Sequence, residues 1–145
     1  MTIGELLFLS DTDTTLGFLS RSAARLDRAK ERPSSKPYIT VYPSLASMGR
    51  RHRIPTAFRK RVRRSRRQSF ITPRGRSFRV VKDPRHLLLL KRLEWAYSSS
   101  ANLSGRAYDE AYARSAADVV VEPLGRPGTP SQILRLGRRR VRRVR

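Results

Sequence analysis

Two short clusters of polar and charged residues carry the groups with which this chain could act on an anion. Lys30 and Arg32 are cations at alternate positions, and Ser100 and Asn102 are a hydroxyl and an amide at alternate positions within the Ser/Gly-rich stretch 98–105. Residues two apart face the same way in extended backbone, and the proline after Arg32 biases it toward that geometry. A Ser/Gly-rich turn that opens a helix also offers free backbone N–H groups. Together these groups predict a site for a phosphate or a carboxylate.

Each cluster also has a plain structural interpretation. Lys30 and Arg32 alone are typical of a solvated helix end, and residues 98–105 alone are as typical of a loop. Upstream of both, Thr12-Asp13-Thr14 is by itself typical of a capping turn. The occurrence of all three in this order along one chain favours a site.

The chain is strongly basic. Its 33 Lys and Arg against 11 Asp and Glu give a net charge of +22, and such a field attracts polyanions, with RNA first among them. Only five of the basic residues are Lys, so a general bias toward Arg is the alternative explanation of the charge.

Composition also excludes several kinds of site. The chain has no Cys, which excludes disulfides, zinc–thiolate centres and a cysteine nucleophile, and its two His are too few for a histidine-based metal centre. No apolar stretch approaches the roughly 20 residues of a membrane span, and the first residues lack the basic start of a signal peptide. We therefore expect a cytoplasmic protein with no membrane partner.

Basic residues are concentrated in two runs. No acidic residue occurs between Arg32 and Lys82, and ten basic residues fall between Arg50 and Arg67. A solvated helical face is one interpretation, but a run without acidic partners suits phosphate backbones. The candidate RNA-binding residues are Arg59, Lys60, Arg63, Arg64 and Arg67. The second run closes the chain and is either a disordered tail or a basic strand.

Apolar patterning and turn residues predict the elements that position these clusters. The predicted strands are Leu6–Leu9, Tyr38–Tyr42, a run from Leu93 to Tyr97 that leads into residues 98–105, Asp118–Glu122 and Gln132–Leu136, with a hairpin of Phe70–Thr72 and Phe78–Lys82. The predicted helices are Ser20–Ala29, Ser44–Met48, Pro55–Arg67, Pro84 to about Leu93 with Asp83 as its cap, and Ala107–Ala113. Leu87–Leu90, Trp95 and Tyr97 are expected in the core. Strands alternating with helices, plus a hairpin, predict a single α/β domain with a mixed sheet.

The motifs Thr-Asp-Thr at 12–14, Lys-x-Arg-Pro at 30–33, Ser-Ala-Asn-x-Ser-Gly at 100–105 and Pro-Ser-x-Ile at 130–133 resemble, in this order, the Sua5/YciO/YrdC family. The resemblance implies a YrdC-like twisted mixed β-sheet flanked by helices, formed by residues 1–136, with 137–145 as a basic C-terminal strand or tail. It implies an L-threonylcarbamoyladenylate synthase, a nucleotidyltransferase that condenses L-threonine, bicarbonate and ATP to threonylcarbamoyl-AMP plus pyrophosphate for tRNA t6A modification. Transfer RNA and other t6A-pathway proteins are then implied partners.

The resemblance also implies residue roles. Lys30 and Arg32 match the catalytic basic pair near the triphosphate and the reacting carboxylate. The implied nucleotide-binding residues are Arg32, Lys36, Ser69, Asn102 and Arg145. The implied threonine-binding residues are Thr12, Ser100 and Ser131. With ATP as substrate, a Mg²⁺ ion bridging its phosphates is implied, but no protein-held metal is predicted, since Asp13 is the one nearby carboxylate candidate.

Several positions depart from the family pattern. Asp11 replaces a usual Pro, Leu16 a usual Tyr and Lys82 a usual Arg, Val41 stands where His is often found, and a Pro-Gly-Pro turn is missing before Ser69. We also expect a chain shorter than usual, without the extra C-terminal Sua5 domain. The alternative function is therefore a non-catalytic protein on the same fold that binds double-stranded RNA or rRNA by shape and charge.

Overall fold

In the part of the chain that the structure describes, a nine-stranded mixed sheet forms the centre of the molecule. The computed structural model of the chain describes residues 2–33, 37–49, 51–125 and 128–145. The strands are β1 (Phe8–Asp11), β2 (Leu16–Ser20), β3 (Ile39–Tyr42), β4 (Gln68–Ile71), β5 (Ser77–Val80), β6 (Ala96–Ser100), β7 (Val119–Val120), β8 (Gln132–Leu136) and β9 (Val141–Arg143). Their order across the sheet is β7-β1-β2-β6-β3-β5-β4-β8-β9.

Helices connect these strands and cover both sides of the sheet. They are α1 (Ala23–Lys30), α2 (Leu45–Met48), α3 (Arg59–Arg64), α4 (Pro84–Leu93) and α5 (Glu110–Ala116), with 3₁₀ turns at Ile3–Glu5 and Thr56–Phe58. Ser22, Ser44, Asp83 and Asp109 each accept a backbone N–H at a helix start, which satisfies donors that a helix leaves free. Within the described residues, none of the helices has both the length and the apolar character that a membrane crossing requires.

Strand pairing is mixed. Antiparallel pairs join β1 to β2, β2 to β6, β3 to β6, β4 to β5 and β8 to β9. The pairs β1–β7, β3–β5 and β4–β8 are parallel. The single α/β domain with a mixed sheet, predicted from the sequence, is thereby confirmed.

The two faces of the sheet pack against different helices, because successive residues of a strand point to opposite sides. Val41 and Ala96, paired across β3 and β6, pack in one cluster with Leu90 of α4; we call this side the α4 face. Tyr42 and Val80, paired across β3 and β5, pack with α2 and α3 on the other side, which we call the α3 face. On this same side of the sheet, helices α1 and α5 pack against strands β1 and β2.

Strong local signals predicted some elements well. The predicted strand Gln132–Leu136 is β8, and the predicted hairpin is formed by β4 and β5. Asp83 caps α4 as predicted, since its carboxylate accepts from the backbone N–H of Arg85 at 2.9 Å, and Pro84 lies in the first turn.

Other predictions about elements were wrong. Leu16–Ser20 is a strand that was not predicted, because all five of its residues are buried and give no alternating pattern. The predicted helix Pro55–Arg67 is a 3₁₀ turn followed by α3, which ends at Arg64. Within the run expected in the core, Leu88 is 69% exposed, because successive residues of a helix point to different sides.

Candidate active site

A cavity of about 280 Å³ lies between the β1–β2 turn, the start of β3, the end of β6 and the loop before β8. Ile39 and Ser98 line it, and they are paired on the same side of the sheet as Val41 and Ala96, so the cavity opens on the α4 face. Its lining residues are Thr14, Thr15, Arg32, Pro37, Tyr38, Ile39, Arg79, Ser98, Ser99, Ser100, Pro130, Ser131 and Arg145. Four predicted site residues from separate segments therefore share one cavity: Arg32, Ser100, Ser131 and Arg145.

Lys30, at the end of α1, holds the serine-rich turn in place. Its buried ammonium donates to the carbonyl oxygens of Ser100 at 2.9 Å and Asn102 at 2.8 Å. The carbonyl of Lys30 in turn accepts from the N–H of Ser104 at 3.1 Å. The ammonium itself does not line the cavity, so its direct structural effect is to fix the backbone that presents the Ser100 side chain.

Arg32 reaches the cavity because α1 ends sharply. Glu31 caps the helix in the left-handed conformation, with φ of 50°, and turns the chain toward Tyr38. The Arg32 guanidinium lies 4.1 Å from the centre of the Tyr38 ring and donates to the carbonyl of Pro37 at 2.9 Å. The Tyr38 hydroxyl donates to Asp27 at 2.7 Å. The ring is thus fixed, and it supports a planar cation at the cavity wall.

Arg79 connects the cavity to a buried ion pair. Its Nη1 donates to the hydroxyls of Ser69 at 3.1 Å and Ser131 at 3.4 Å, and these two hydroxyls lie 2.7 Å apart. Its Nε lies 3.2 Å from Oδ1 of Asp13, and both side chains are almost fully buried. His86 Nδ1 lies 3.7 Å from the same oxygen, a distance too long for a hydrogen bond.

The charges of this buried group shape the ionisation of its members. Burial raises the pKa of Asp13, but the neighbouring His86 and the Arg79 guanidinium lower it more, so the pKa lies below its ordinary value. Burial lowers the pKa of Arg79, against the opposing effect of Asp13. Because arginine stays charged in proteins, the pair is an ion pair, and it points Arg79 toward the cavity hydroxyls.

The loop before β8 closes the cavity from the side opposite β6. Gly128 approaches the β1–β2 turn so closely that a Cβ there would lie 1.9 Å from the carbonyl oxygen of Thr14. Arg145 donates from Nε to the carbonyl of Ser131 at 3.1 Å, and its own carbonyl accepts from the N–H of Ile133 at 2.9 Å. Arg145 therefore forms part of the cavity wall.

The remaining predicted site residues lie elsewhere. Thr12 uses its hydroxyl inside its own turn, where it accepts from the backbone N–H of Thr14 at 3.2 Å and of Thr15 at 3.1 Å. Asn102 donates its amide to the carbonyls of Leu103 and Arg106, so it shapes the turn without lining the cavity. Lys36 lies outside the described residues.

The candidate RNA-binding residues form a separate basic surface. Arg59, Lys60, Arg63, Arg64 and Arg67 are all exposed. The first four belong to α3, whose buried side packs Val62 into the core, and Arg67 follows the helix. Among the described residues, the ion pairs that form do not involve any of these five. The surface is therefore available to an anionic partner.

Sequence reasoning missed three groups that the structure places at the cavity. Thr14 and Thr15 line it in place of Thr12, and Arg79 supplies a buried cation. Lys82, which stands where the family pattern usually has Arg, does not line the cavity, and its ammonium donates to the carbonyl of Arg63 at 2.5 Å. No local signal marked Arg79, because a charged residue that alternates with Phe78 and Val80 in a predicted strand is typical of a solvent-facing position.

We expect Lys30 to titrate well below an ordinary lysine. Burial, with a smaller effect from Arg32, lowers its pKa from 10.5 to about 8. Because the unfolded chain then binds more protons between these two values, stability should rise as the pH increases from about 8 to about 10.5. An NMR titration of the lysine Cε resonances, with Lys30→Met for assignment, measures the midpoint. A midpoint for Lys30 equal to that of the other lysines contradicts this prediction.

The donors at the cavity do not fit a metal ion held by the protein. Its lining side chains offer hydroxyls and guanidinium groups, and magnesium prefers carboxylates and phosphates. Asp13 is already paired with Arg79. Within the described part of the chain, three or more His, Cys, Asp or Glu side chains do not gather into a potential metal site.

Comparison with solved structures identifies the fold. A doubly substituted variant of P. abyssi Sua5 matches with a TM-score of 0.77 and 16% identity, over 97% of this chain and 49% of that one. P. abyssi Sua5 complexed with L-threonine gives 0.73 and 18%, over 90% of this chain and 47% of that one. E. coli YciO gives 0.75 and 19%, over 97% and 82%. No family model matches the chain, and no curated protein matches it in sequence.

The chain therefore has the Sua5/YciO/YrdC-like fold that its motifs predicted. It spans about half the length of the two Sua5 chains and most of YciO.

Proposed function

We propose that this chain, with its Sua5/YciO/YrdC-like fold, is an L-threonylcarbamoyladenylate synthase that acts in tRNA modification. The observation that carries the proposal is the meeting of Arg32, Ser100, Ser131 and Arg145 in one cavity. Arg32, Ser100 and Ser131 belong to three separate motifs that resemble those of the Sua5/YciO/YrdC family, and Arg145 is an implied nucleotide-binding residue. P. abyssi Sua5, which shares the fold, has been solved with L-threonine.

The cavity provides what adenylyl transfer requires. The amine of threonine and bicarbonate form a carbamate with loss of water, and the carbamate oxygen attacks the α-phosphorus of ATP as the bond to pyrophosphate breaks. Negative charge develops on phosphate oxygens, so fixed cations and hydrogen-bond donors lower the barrier. Arg32, held against Tyr38, and Arg145 supply two guanidinium groups at the wall. No covalent nucleophile is needed.

The other reactant is proposed to bind at the hydroxyl side of the cavity. Ser131 and Arg79 line the cavity and offer a hydroxyl and a guanidinium to a carboxylate, while the fully buried hydroxyl of Ser69 contacts both of them. Ser100 faces them from the end of β6. Holding threonine there, next to a nucleotide at Arg32, brings the reacting groups together and lowers the entropic part of the barrier.

Incubation of the purified chain with ATP, Mg²⁺, L-threonine and ¹³C-labelled bicarbonate tests this proposal. We expect pyrophosphate release that depends on threonine, and a threonylcarbamoyl-AMP product that carries the label in its mass spectrum. The control replaces threonine with glycine, which lacks the side chain. Absence of product, together with no binding of threonine or ATP by calorimetry, would refute the synthase proposal.

The exposed basic residues of α3 favour a second candidate function, the binding of double-stranded RNA or rRNA. Arg63 and Arg64 carry charges without ion-pair partners among the described residues, and such charges suit phosphate backbones. Replacement of both by Gln should weaken binding of an RNA duplex in an anisotropy titration and leave threonine-dependent synthesis unchanged. Replacement of Arg32 should strongly reduce threonine-dependent synthesis and leave duplex binding unchanged, so the two sets of variants separate the two functions.

A further inference from the structure

A second concavity, of about 470 Å³, opens on the other side of the sheet from the candidate active site. Thr40 and Tyr97, paired across β3 and β6, line it. They alternate along their strands with Ile39 and Ser98 of the cavity described above, so the two sites lie on opposite faces. The concavity sits between the cluster under α1 and α5 and the cluster under α2 and α3. We call it the aromatic groove.

Aromatic rings form much of its lining. Tyr38, Tyr42, Trp95 and Tyr97 all contribute to it, and Trp95 meets Tyr97 edge to face with ring centroids 5.1 Å apart. Trp95 and Tyr97 were expected in the core, and this is only partly correct. Both pack against buried clusters, but both remain half-buried and border the open groove.

Planar cations stand beside these rings. The guanidinium of Arg51 lies 4.3 Å, and that of Arg21 lies 4.8 Å, from the centre of the Trp95 ring. Such cation–π contacts hold the guanidinium planes in position. Arg76 also lines the groove. None of the described residues that line it is acidic.

The groove continues into a basic cavity of about 400 Å³. The two share Arg51, His52 and Arg76, and the cavity adds further arginines at positions 53, 59 and 74. Its described lining also contains no carboxylate. A ligand that carries a flat apolar group next to a series of negative charges is therefore complementary to the two adjoining sites: the flat group fits the aromatic groove, and the charges fit the basic cavity.

We propose that the aromatic groove binds an unpaired nucleotide of single-stranded RNA, with the base in the groove and the flanking phosphates on the adjoining arginines. Bases that are not paired stack on aromatic rings and on guanidinium planes, and arginine binds phosphate through two parallel donors. Within a duplex the neighbouring bases cover both faces of each base, so the groove selects single strands. The two sites share Pro37 and Tyr38, and the other groove residues do not line the candidate active site. The proposal does not depend on the synthase activity, because it needs no reaction and its test variants leave both shared residues unchanged.

Trp95 makes the groove directly observable, because it is the one tryptophan of the sequence. Titration with a short oligoadenylate RNA should quench its fluorescence to saturation, as the base stacks nearby. A blunt RNA duplex of the same length should leave the emission unchanged at the same concentration. AMP should bind at least about tenfold more weakly than the oligonucleotide, since it lacks one flanking phosphate.

The variant Arg51→Gln/Arg76→Gln removes two of the proposed phosphate contacts at exposed positions. We expect at least about a tenfold loss of affinity for a labelled oligoadenylate. The slope of log K against log salt should also become shallower by about 0.7 for each arginine removed. Arg92→Gln, which removes one exposed charge on α4, is the control and should change neither quantity.

Four results would overturn the proposal. The first is a loss of affinity in Arg92→Gln equal to that of the groove variant. The second is a loss in Arg63→Gln/Arg64→Gln that the groove variant does not show. The third is binding of the duplex with the same affinity and the same quenching as the single strand. The fourth is saturation by AMP at the concentrations at which the oligonucleotide saturates, which would make the groove a mononucleotide pocket.

Discussion

Replacement of Asp13 by asparagine is expected to destabilise the protein by about 3–5 kcal/mol, because it leaves a buried arginine charge without a partner. Oδ1 of Asp13 lies 3.2 Å from Nε of Arg79, and the two side chains are 6% and 5% exposed. Urea unfolding followed by circular dichroism measures the change. Glu110→Gln removes an exposed carboxylate that pairs with Arg114, and it should leave the stability close to that of the parent protein.

A double variant distinguishes loss of a partner from loss of packing. If the unpaired charge causes the damage, Asp13→Asn combined with Arg79→Met should recover at least about 1 kcal/mol relative to Asp13→Asn alone. Equal stability of Asp13→Asn and Glu110→Gln would show that the pair contributes nothing beyond an exposed one.

The same pair predicts a dependence of stability on pH. The pKa of folded Asp13 lies below the value of 3.8 that is usual for Asp, so the folded state favours the carboxylate. Its contribution is fully present above about 3.8 and is lost as the pH falls through the lower folded value. The acid slope of the unfolding free energy should therefore be shallower in Asp13→Asn than in the parent protein. Identical slopes would contradict the lowered pKa.

Replacement of Arg32 by alanine is expected to reduce the rate of threonylcarbamoyl-AMP formation by about 10²–10³-fold. Removal of one donor from a charge-stabilising site has effects of that size. The rate is measured as threonine-dependent pyrophosphate release, and the prediction rests on the proposed synthase activity. Arg32→Lys keeps the charge but loses the planar fork that stacks on Tyr38, so an intermediate rate is expected.

Arg28→Ala is the matched control, because Arg28 is an exposed arginine of α1, four residues before Arg32, and does not line the cavity. Its rate should be close to that of the parent protein. The unfolding midpoints of all three variants must agree with the parent, so that loss of folding is not mistaken for loss of catalysis. Equal rates for Arg32→Ala and Arg28→Ala would remove Arg32 from the proposed chemistry.

Features encoded by neighbouring residues could be predicted from the sequence. The Asp83-Pro84 start of α4 is a local signal, and so is the turn between β4 and β5. The motifs that contain Arg32, Ser100 and Ser131 correctly predicted three residues that line one cavity, because the order of the motifs along the chain matches that of the family.

Features created by distant strand pairing could not be predicted. The contact of Asp13 with Arg79 depends on how the β1–β2 turn lies over β5, and their sequence positions say nothing about that. The same limit applies to Thr12, which the motif favoured over Thr14 and Thr15, because the direction of each hydroxyl depends on the turn geometry. The aromatic groove was not predicted, because a tryptophan in an apolar run is typical of the core. Trp95 is half-buried only because it borders the gap between the cluster under α1 and α5 and the cluster under α2 and α3.

The parallel pairing of β4 with β8 also affects how the chain folds. The contact of Ser69 with Ser131 joins residues 62 positions apart, and sheets rich in such distant pairs fold slowly, over about milliseconds to seconds. Until β8 docks, β4 exposes an unpaired edge that invites pairing between molecules. A net charge of +22 opposes such encounters by repulsion. Salt screens that repulsion, so the basic composition should protect unfinished chains best at low ionic strength.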